Sequence, residues 1–218
     1  SPESHVLVRP DVVWRAWDPA LEREVAIKLL NPDPDAGERE RERLLREARA
    51  LARLAHPNVV SVHDVGEADG QVFVATELVA GPSLAARPPG SWGEAVDAYL
   101  QAARGLAAAH AVGVVHRDVK PANLVIGDDR RVRVVDFGLA TINASRQTGA
   151  EPPAGATEVT DRSPAIDDRL TVTGHTVGTP AYMAPEQRAG GAAGPASDQY
   201  SLCVSLWEAL AGQRPGPD

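Results

Sequence analysis

The chain has 218 residues, enough for one large domain or two small ones with a sizeable core. A hydrophobic fraction of 43% excludes a disordered chain, and with aromatics at only 4% the core must be built mainly from Ala, Val and Leu. Lys and Arg total 22 against 30 Asp and Glu, a net charge of -8, which argues against a general nucleic-acid binder, whose surface would be basic.

The single cysteine, Cys203, excludes an internal disulfide. Flanked by Leu202 and Val204 in a helical stretch, it is expected to be buried and structural. No run is apolar enough to span a membrane and there is no basic-then-apolar leader, so the chain is expected to be soluble and cytoplasmic. It opens on Ser1 rather than Met, as an excerpt of a longer protein would.

In chain order, VLV (6–8) and VVWRAWD (12–18) read as short strands, and EVAIKLL (24–30) as a third, β-branched and apolar around Lys28. NPDPD (31–35) is a turn cluster that no helix could cross. GERERERLLREARALARLAHPN then predicts a helix ending at His56-Pro57, with Leu44, Ala48, Leu51 and Ala55 as its apolar stripe and Glu47 at the stripe's border. VVSVHDVGEADGQVFVATELV predicts two strands about a Gly-containing turn.

Gly81-Pro82 breaks the pattern. Ser91 and Glu94 have the Ser-x-x-Glu form of a capping box before a long helix. VVHRDVKPANLVI and VRVVDFGLA predict short apolar strands with charged residues at their ends. Residues 141–176 are rich in Thr, Ser, Gly, Pro and Asp and predict a long mobile loop, and SDQYSLCVSLWEALAG a last helix.

Four constellations carry chemistry. In HRDVKPAN (116–123), a carboxylate at a strand end, Asp118, can take a proton from an attacking hydroxyl. Lys120 can neutralise a transferring phosphoryl group, and Asn123 offers oxygen to a hard cation. The bland alternative is a charged surface turn. DFG (136–138) would add a second cation ligand, Asp136, though alone it is a common turn. VGTPAYMAPEQ (177–187) closes the long loop. Lys28 and Glu47 form the fourth. Each is costly beside apolar neighbours unless paired, and pairing them with each other would satisfy both; the alternative is two charges snorkelling to the surface.

Together AIK, HRDxKPxN, DFG and APE, in this order, resemble the eukaryotic-type protein kinases in their bacterial Ser/Thr branch, over nearly the whole chain. The resemblance implies an α+β, two-lobed fold: an antiparallel-sheet N-lobe with one C-helix (1–79), and a mainly helical C-lobe (80–218) cut short at its C-terminus. It implies ATP and Mg²⁺ in the cleft between them, and protein Ser/Thr hydroxyls as acceptors.

By that resemblance Asp118 is the catalytic base, Lys120 contacts the γ-phosphate, and Asn123 and Asp136 hold Mg²⁺. Lys28 binds the α- and β-phosphates and pairs with Glu47. Val13 and Ala26 roof the adenine and Val125 floors it. Thr76 is the gatekeeper, with Glu77 to Val79 as the hinge. Asp198 anchors the HRD backbone and Thr179 bridges to Asp118 and Lys120. The activation segment is 136–186, with Thr171, Thr173 and Thr176 as phosphorylation sites or plain loop threonines, and Arg117 the partner of a phosphate. Self-association for autophosphorylation is a further family trait.

Two departures qualify this. Arg9, Pro10 and Asp11 stand where the family carries a glycine-rich phosphate loop; Pro10 has no N–H and Asp11 adds negative charge. The arginine that in the family pairs with Glu186 is missing, so Glu186 is expected to be unpaired beside an exposed helix face. The competing reading is therefore an inactive or weakly active kinase fragment serving as a binding scaffold.

Overall fold

The computed structural model describes residues 13–30, 37–68, 71–138 and 181–216. The strand expected at 6–8, the segment Arg9 to Asp11, the 31–35 turn, the 141–176 loop and Thr171, Thr173, Thr176 and Thr179 lie outside these.

Strands β1 (Val13–Asp18) and β2 (Arg23–Leu30) form a hairpin. Its turn is set by Asp18, whose Oδ1 accepts the N–H groups of Ala20 (3.0 Å) and Leu21 (3.2 Å). Strands β3 (Val62–Ala68) and β4 (Gln71–Glu77) form a second hairpin, and β4 docks beside β2, so the antiparallel sheet runs β1-β2-β4-β3. Helix α1 (Gly37–Ala52) packs on β3 and β4. Leu44, Ala48 and Leu51 are its buried side chains, one above the other at helical spacing. Ala55, expected in that stripe, is exposed. The helix ends early: Arg53 and Leu54 donate to the carbonyls of Ala50 and Leu51, three residues back, which tightens the last turn and sends Leu54 to the core in place of Ala55.

The second half is mainly helical. Helix α2 (Trp92–Ala111) starts at Ser91, whose hydroxyl accepts the Glu94 N–H at 3.2 Å. Glu94 reaches back to the N–H of Gly90 (2.8 Å) rather than to that of Ser91, so the expected capping box closes one residue early. Residues 114–120 are irregular. Only Leu124–Ile126 (β5) and Val132–Val134 (β6) pair as a hairpin, preceded by a 3₁₀ turn at Pro121–Asn123. A short helix α3 (Pro185–Arg188) leads to α4 (Pro195–Ala211), which packs on α2.

The buried face of α4 is Ser197, Asp198, Ser201, Val204 and Ser205. Ser201 and Ser205 bond their hydroxyls back to the carbonyls four residues before, at 3.0 and 2.8 Å, so their burial leaves no orphan donor. Cys203 falls off that face and is exposed, against the expectation of a buried thiol. Trp207 and Leu210 on the same helix are also exposed.

One continuous core joins the two parts. Leu30, Leu44, Leu51, Val72 and Val74 under the sheet meet Leu106, Val114, Leu124 and Val134 below. The smaller hairpin is tied upward by a parallel bridge between Val59 and Val134.

Candidate active site

The inner face of the sheet and the β5–β6 hairpin enclose a cavity of about 190 Å³. Its roof follows from the strand period of two. Ala26, Lys28 and Leu30 point inward from β2, and Val74 and Thr76 from β4. The register sets Val13 and Val74 on either side of Lys28, and Thr76 beside Ala26. Glu77 and Val79 line the cavity where the chain leaves β4, and Val125 and Asp136 line it from below. Every residue expected around the adenine and the α- and β-phosphates is on this cavity except Glu47, whereas Lys120 and Asn123, expected at the γ-phosphate and Mg²⁺, do not line it. Leu51, Val60 and Phe137 extend it inward past Thr76, which the sequence did not suggest.

The segment His116–Asn123 is held by buried polar contacts. His116 is fully buried and packs tilted against Phe137, with ring centroids 4.7 Å apart. Its Nε2 donates to the Val135 carbonyl (3.0 Å), and its Nδ1 accepts the Asp118 N–H (3.2 Å), so the two partners together define the tautomer. Gly138 N–H donates to the His116 carbonyl and Val135 N–H to that of Asn123, which locks this segment to the one carrying Asp136.

Beneath it sits the buried carboxylate of Asp198. It accepts the backbone N–H of His116 and of Arg117, each at 2.7 Å, and Nε2 of His110, also at 2.7 Å. These bonds hold Arg117 at φ +72, a left-handed conformation that costs energy in a non-glycine residue.

In this segment Lys120 Nζ lies 2.7 Å from Asp118 Oδ2. Asn123 donates its amide to the Asp118 carbonyl (2.8 Å) and, more weakly, to its carboxylate (3.4 Å). That turns the Asn123 amide oxygen away from Asp118.

The expected Lys28–Glu47 pair is not made. Lys28 forms a part-buried ion pair with Asp136, which stands at φ +58 with its carboxylate under the lysine. Glu47 takes the Arg117 guanidinium instead, at 2.9 and 3.2 Å, and its Oε1 also accepts Nε of Arg43 at 3.4 Å. Both charges are still neutralised, as burial demands, but by partners far along the chain.

Glu186, expected to be unpaired, accepts the Ser197 hydroxyl at 2.6 Å. That bond and a backbone N–H hold its carboxyl below the usual range. Gln187 adds a bond from its amide to the Arg117 carbonyl (3.0 Å), joining α3 to the same segment. Tyr182 donates to Glu208 at 2.6 Å, and burial with that contact pushes its phenol up to about 12. His110, Ser197 and Glu208 were missed in the sequence, and Gln187, the last residue of VGTPAYMAPEQ, was given no role there. The first three fall in no motif, and only His110 gave a signal, as a polar residue ending an apolar helix.

Comparison with known proteins agrees with this architecture. A family model described as the protein kinase domain matches residues 11–218. The serine/threonine-protein kinase PknE of Mycobacterium bovis is 39% identical over 211 residues, covering 93% of this chain and 33% of that protein. The serine/threonine-protein kinase PknA of Mycobacterium tuberculosis is 39% identical over 212 residues, covering 93% and 44%. The crystal structure of the Mycobacterium tuberculosis PknI kinase domain superposes with a TM-score of 0.63 at 31% identity, over 94% of this chain and 70% of that one.

The α+β fold with its sheet-lined cleft is thus the two-lobed kinase fold, and the chain belongs to the protein kinase family. Within it, the similarity lies with the bacterial serine/threonine kinases. The chain spans between a third and a half of the length of those curated relatives. No helix among the described residues is long and apolar enough to cross a membrane.

Proposed function

We propose that this chain is the catalytic domain of a serine/threonine protein kinase, which transfers the γ-phosphoryl group of ATP to protein hydroxyls in bacterial signalling. The observation that carries the reading is one hydrogen-bonded group of Asp118, Lys120 and Asn123, whose Asn123 carbonyl accepts the N–H of Val135, which with Asp136 and Lys28 lines the apolar cavity. Val13, Ala26 and Val125 sandwich the adenine, with Thr76 and the segment Glu77 to Val79 along its edge. Lys28 binds the α- and β-phosphates, which requires it to leave Asp136.

The donor set suits Mg²⁺. The Asp136 carboxylate and the Asn123 amide oxygen are hard ligands, and two protein ligands are enough for an ion that keeps water and phosphate oxygens. These two residues would hold it, and when bound it would neutralise charge on the phosphates. Asp118 accepts the proton of the attacking hydroxyl, and Lys120, 2.7 Å from it, stabilises the transferring group. Thr171, Thr173 and Thr176 are the sites of autophosphorylation between copies, and the chain works in the cytoplasm, where ATP is.

The test is intact-mass spectrometry after incubation with ATP and Mg²⁺, with Asp118→Asn in parallel. Mass steps of one phosphate in the wild type alone support the reading. A folded wild type that gains none leaves the binding scaffold as the function, and equal gains in both remove Asp118 from the role of base.

A further inference from the structure

The segment that leaves β4 is clamped, not free. Ile126 N–H donates to the Pro82 carbonyl (3.0 Å) and Leu84 N–H to that of Leu124 (2.8 Å), which seats this segment along β5. Gly81 stands at φ +147, and a Cβ there would lie 1.9 Å from the Ile126 carbonyl oxygen. A Cβ on Gly127 would lie 2.6 Å from Arg133 Nη1 and 3.6 Å from Val79 Cγ1. Gly127 thus leaves the room that the Arg133 guanidinium occupies against the cleft-lining segment.

Arg133 is on β6, opposite Val125 in the hairpin register, with its side chain 16% exposed. Its guanidinium grips Asp129 with two parallel bonds, Nη1 to Oδ1 at 2.8 Å and Nη2 to Oδ2 at 2.9 Å. Nε lies 3.6 Å from Glu77 Oε1, an ion pair without a hydrogen bond. The pairing holds the Asp129 carboxyl down at about 2 and pushes the guanidinium up. One planar side chain therefore ties the last residue of β4, on the cavity wall, to the hairpin that supplies Val125 from below. A lysine has no such fork and would have to choose between the two carboxylates.

We propose that Arg133 is a positioning residue for the nucleotide: by bridging Asp129 and Glu77 it fixes the spacing between the cleft wall after β4 and the floor at Val125, and so the width of the slot that a purine enters. This rests on the reading of the cleft as an ATP site. Arg133 acts through Glu77 and Val125 and touches no substrate. Asp129 and Glu77 are partly solvent-exposed, so the ion pairs contribute little to global stability and their effect is geometric.

The test compares wild type, Arg133→Met, Arg133→Lys and Asp129→Asn. Adenosine affinity is measured by calorimetry, because adenosine reports on the purine slot without the phosphates. KM for ATP and kcat are measured with a protein substrate, and melting temperature is followed for each variant. Arg133→Met is expected to weaken adenosine binding and raise KM for ATP by about 5- to 10-fold while kcat changes less than about twofold. Arg133→Lys is expected to recover part of the loss. If Arg133→Met does not fold, Asp129→Asn, which keeps the shape and removes the charge that holds the Arg133 fork, must show the same split.

Adenosine affinity and KM unchanged in folded variants would overturn the role of Arg133 while leaving the nucleotide site intact. Loss of kcat in step with melting temperature, without recovery in the lysine variant, would overturn it in favour of a purely structural residue. A wild type that binds neither adenosine nor ATP would overturn the nucleotide reading, and this inference with it.

Discussion

Replacing Asp198 by alanine would test how the segment carrying Asp118 is held. The carboxylate is 1% exposed and accepts three bonds of 2.7 Å, two from the backbone N–H groups of His116 and Arg117 and one from His110. Truncation leaves those two N–H groups without their acceptor in a place that water does not reach, at about 1–3 kcal/mol each. Removing a buried charge returns part of that, so the net cost is about 2–4 kcal/mol. For a chain of this size about 2–4 °C of melting temperature is lost per kcal/mol, hence about 4–16 °C in all. Asparagine keeps one acceptor oxygen but turns an N–H₂ toward the second donor, and should cost about half as much. With the anchor gone, Arg117 can relax from its left-handed φ and carry Asp118 with it, so activity should fall even in the folded asparagine variant. The assay is urea unfolding followed by circular dichroism, with kinase activity measured below the transition. An alanine variant within about 1 kcal/mol of wild type, with activity retained, would refute the anchoring argument.

Other outcomes follow from the same contacts. A double-mutant cycle on Glu47→Gln and Arg117→Gln, without nucleotide, should give a coupling of about 1 kcal/mol or more, and the cycle on Lys28→Met and Glu47→Gln a coupling near zero; the reverse ranking would restore the pair expected from sequence. His63 has its imidazole pKa lowered from 6.5 by burial and then by Arg23, only partly offset by Glu77 and Asp18. The unfolded chain therefore takes up that proton first, so stability falls as pH drops from 6.5 through the lower folded value and levels off below it. Melting temperature should decline less steeply with falling pH in His63→Gln than in wild type; parallel curves would contradict this.

Much of this protein was legible from local pattern. Contiguous motifs such as HRDVKPAN and DFG declare their chemistry because one short loop must present several groups at once. The resemblance placed Ala26, Lys28 and Thr76 around one nucleotide, and those side chains do share a cavity. The stripe Leu44, Ala48, Leu51 placed α1 on the sheet, though its end was misjudged because backbone bonding after Ala52 rather than side-chain pattern stops the helix. Cys203 was misplaced for a related reason: on α4 the buried face is made of serines that satisfy themselves, so hydrophobicity did not mark it. Ion-pair partners were the least legible. Burial dictated that Lys28 and Glu47 each need an opposite charge, and sequence could say no more. The choice of Asp136, 108 residues away, and of Arg117, 70 residues away, was made by the tertiary structure, since Coulomb attraction depends on where the folded backbone sets each charge and not on how the chain orders them.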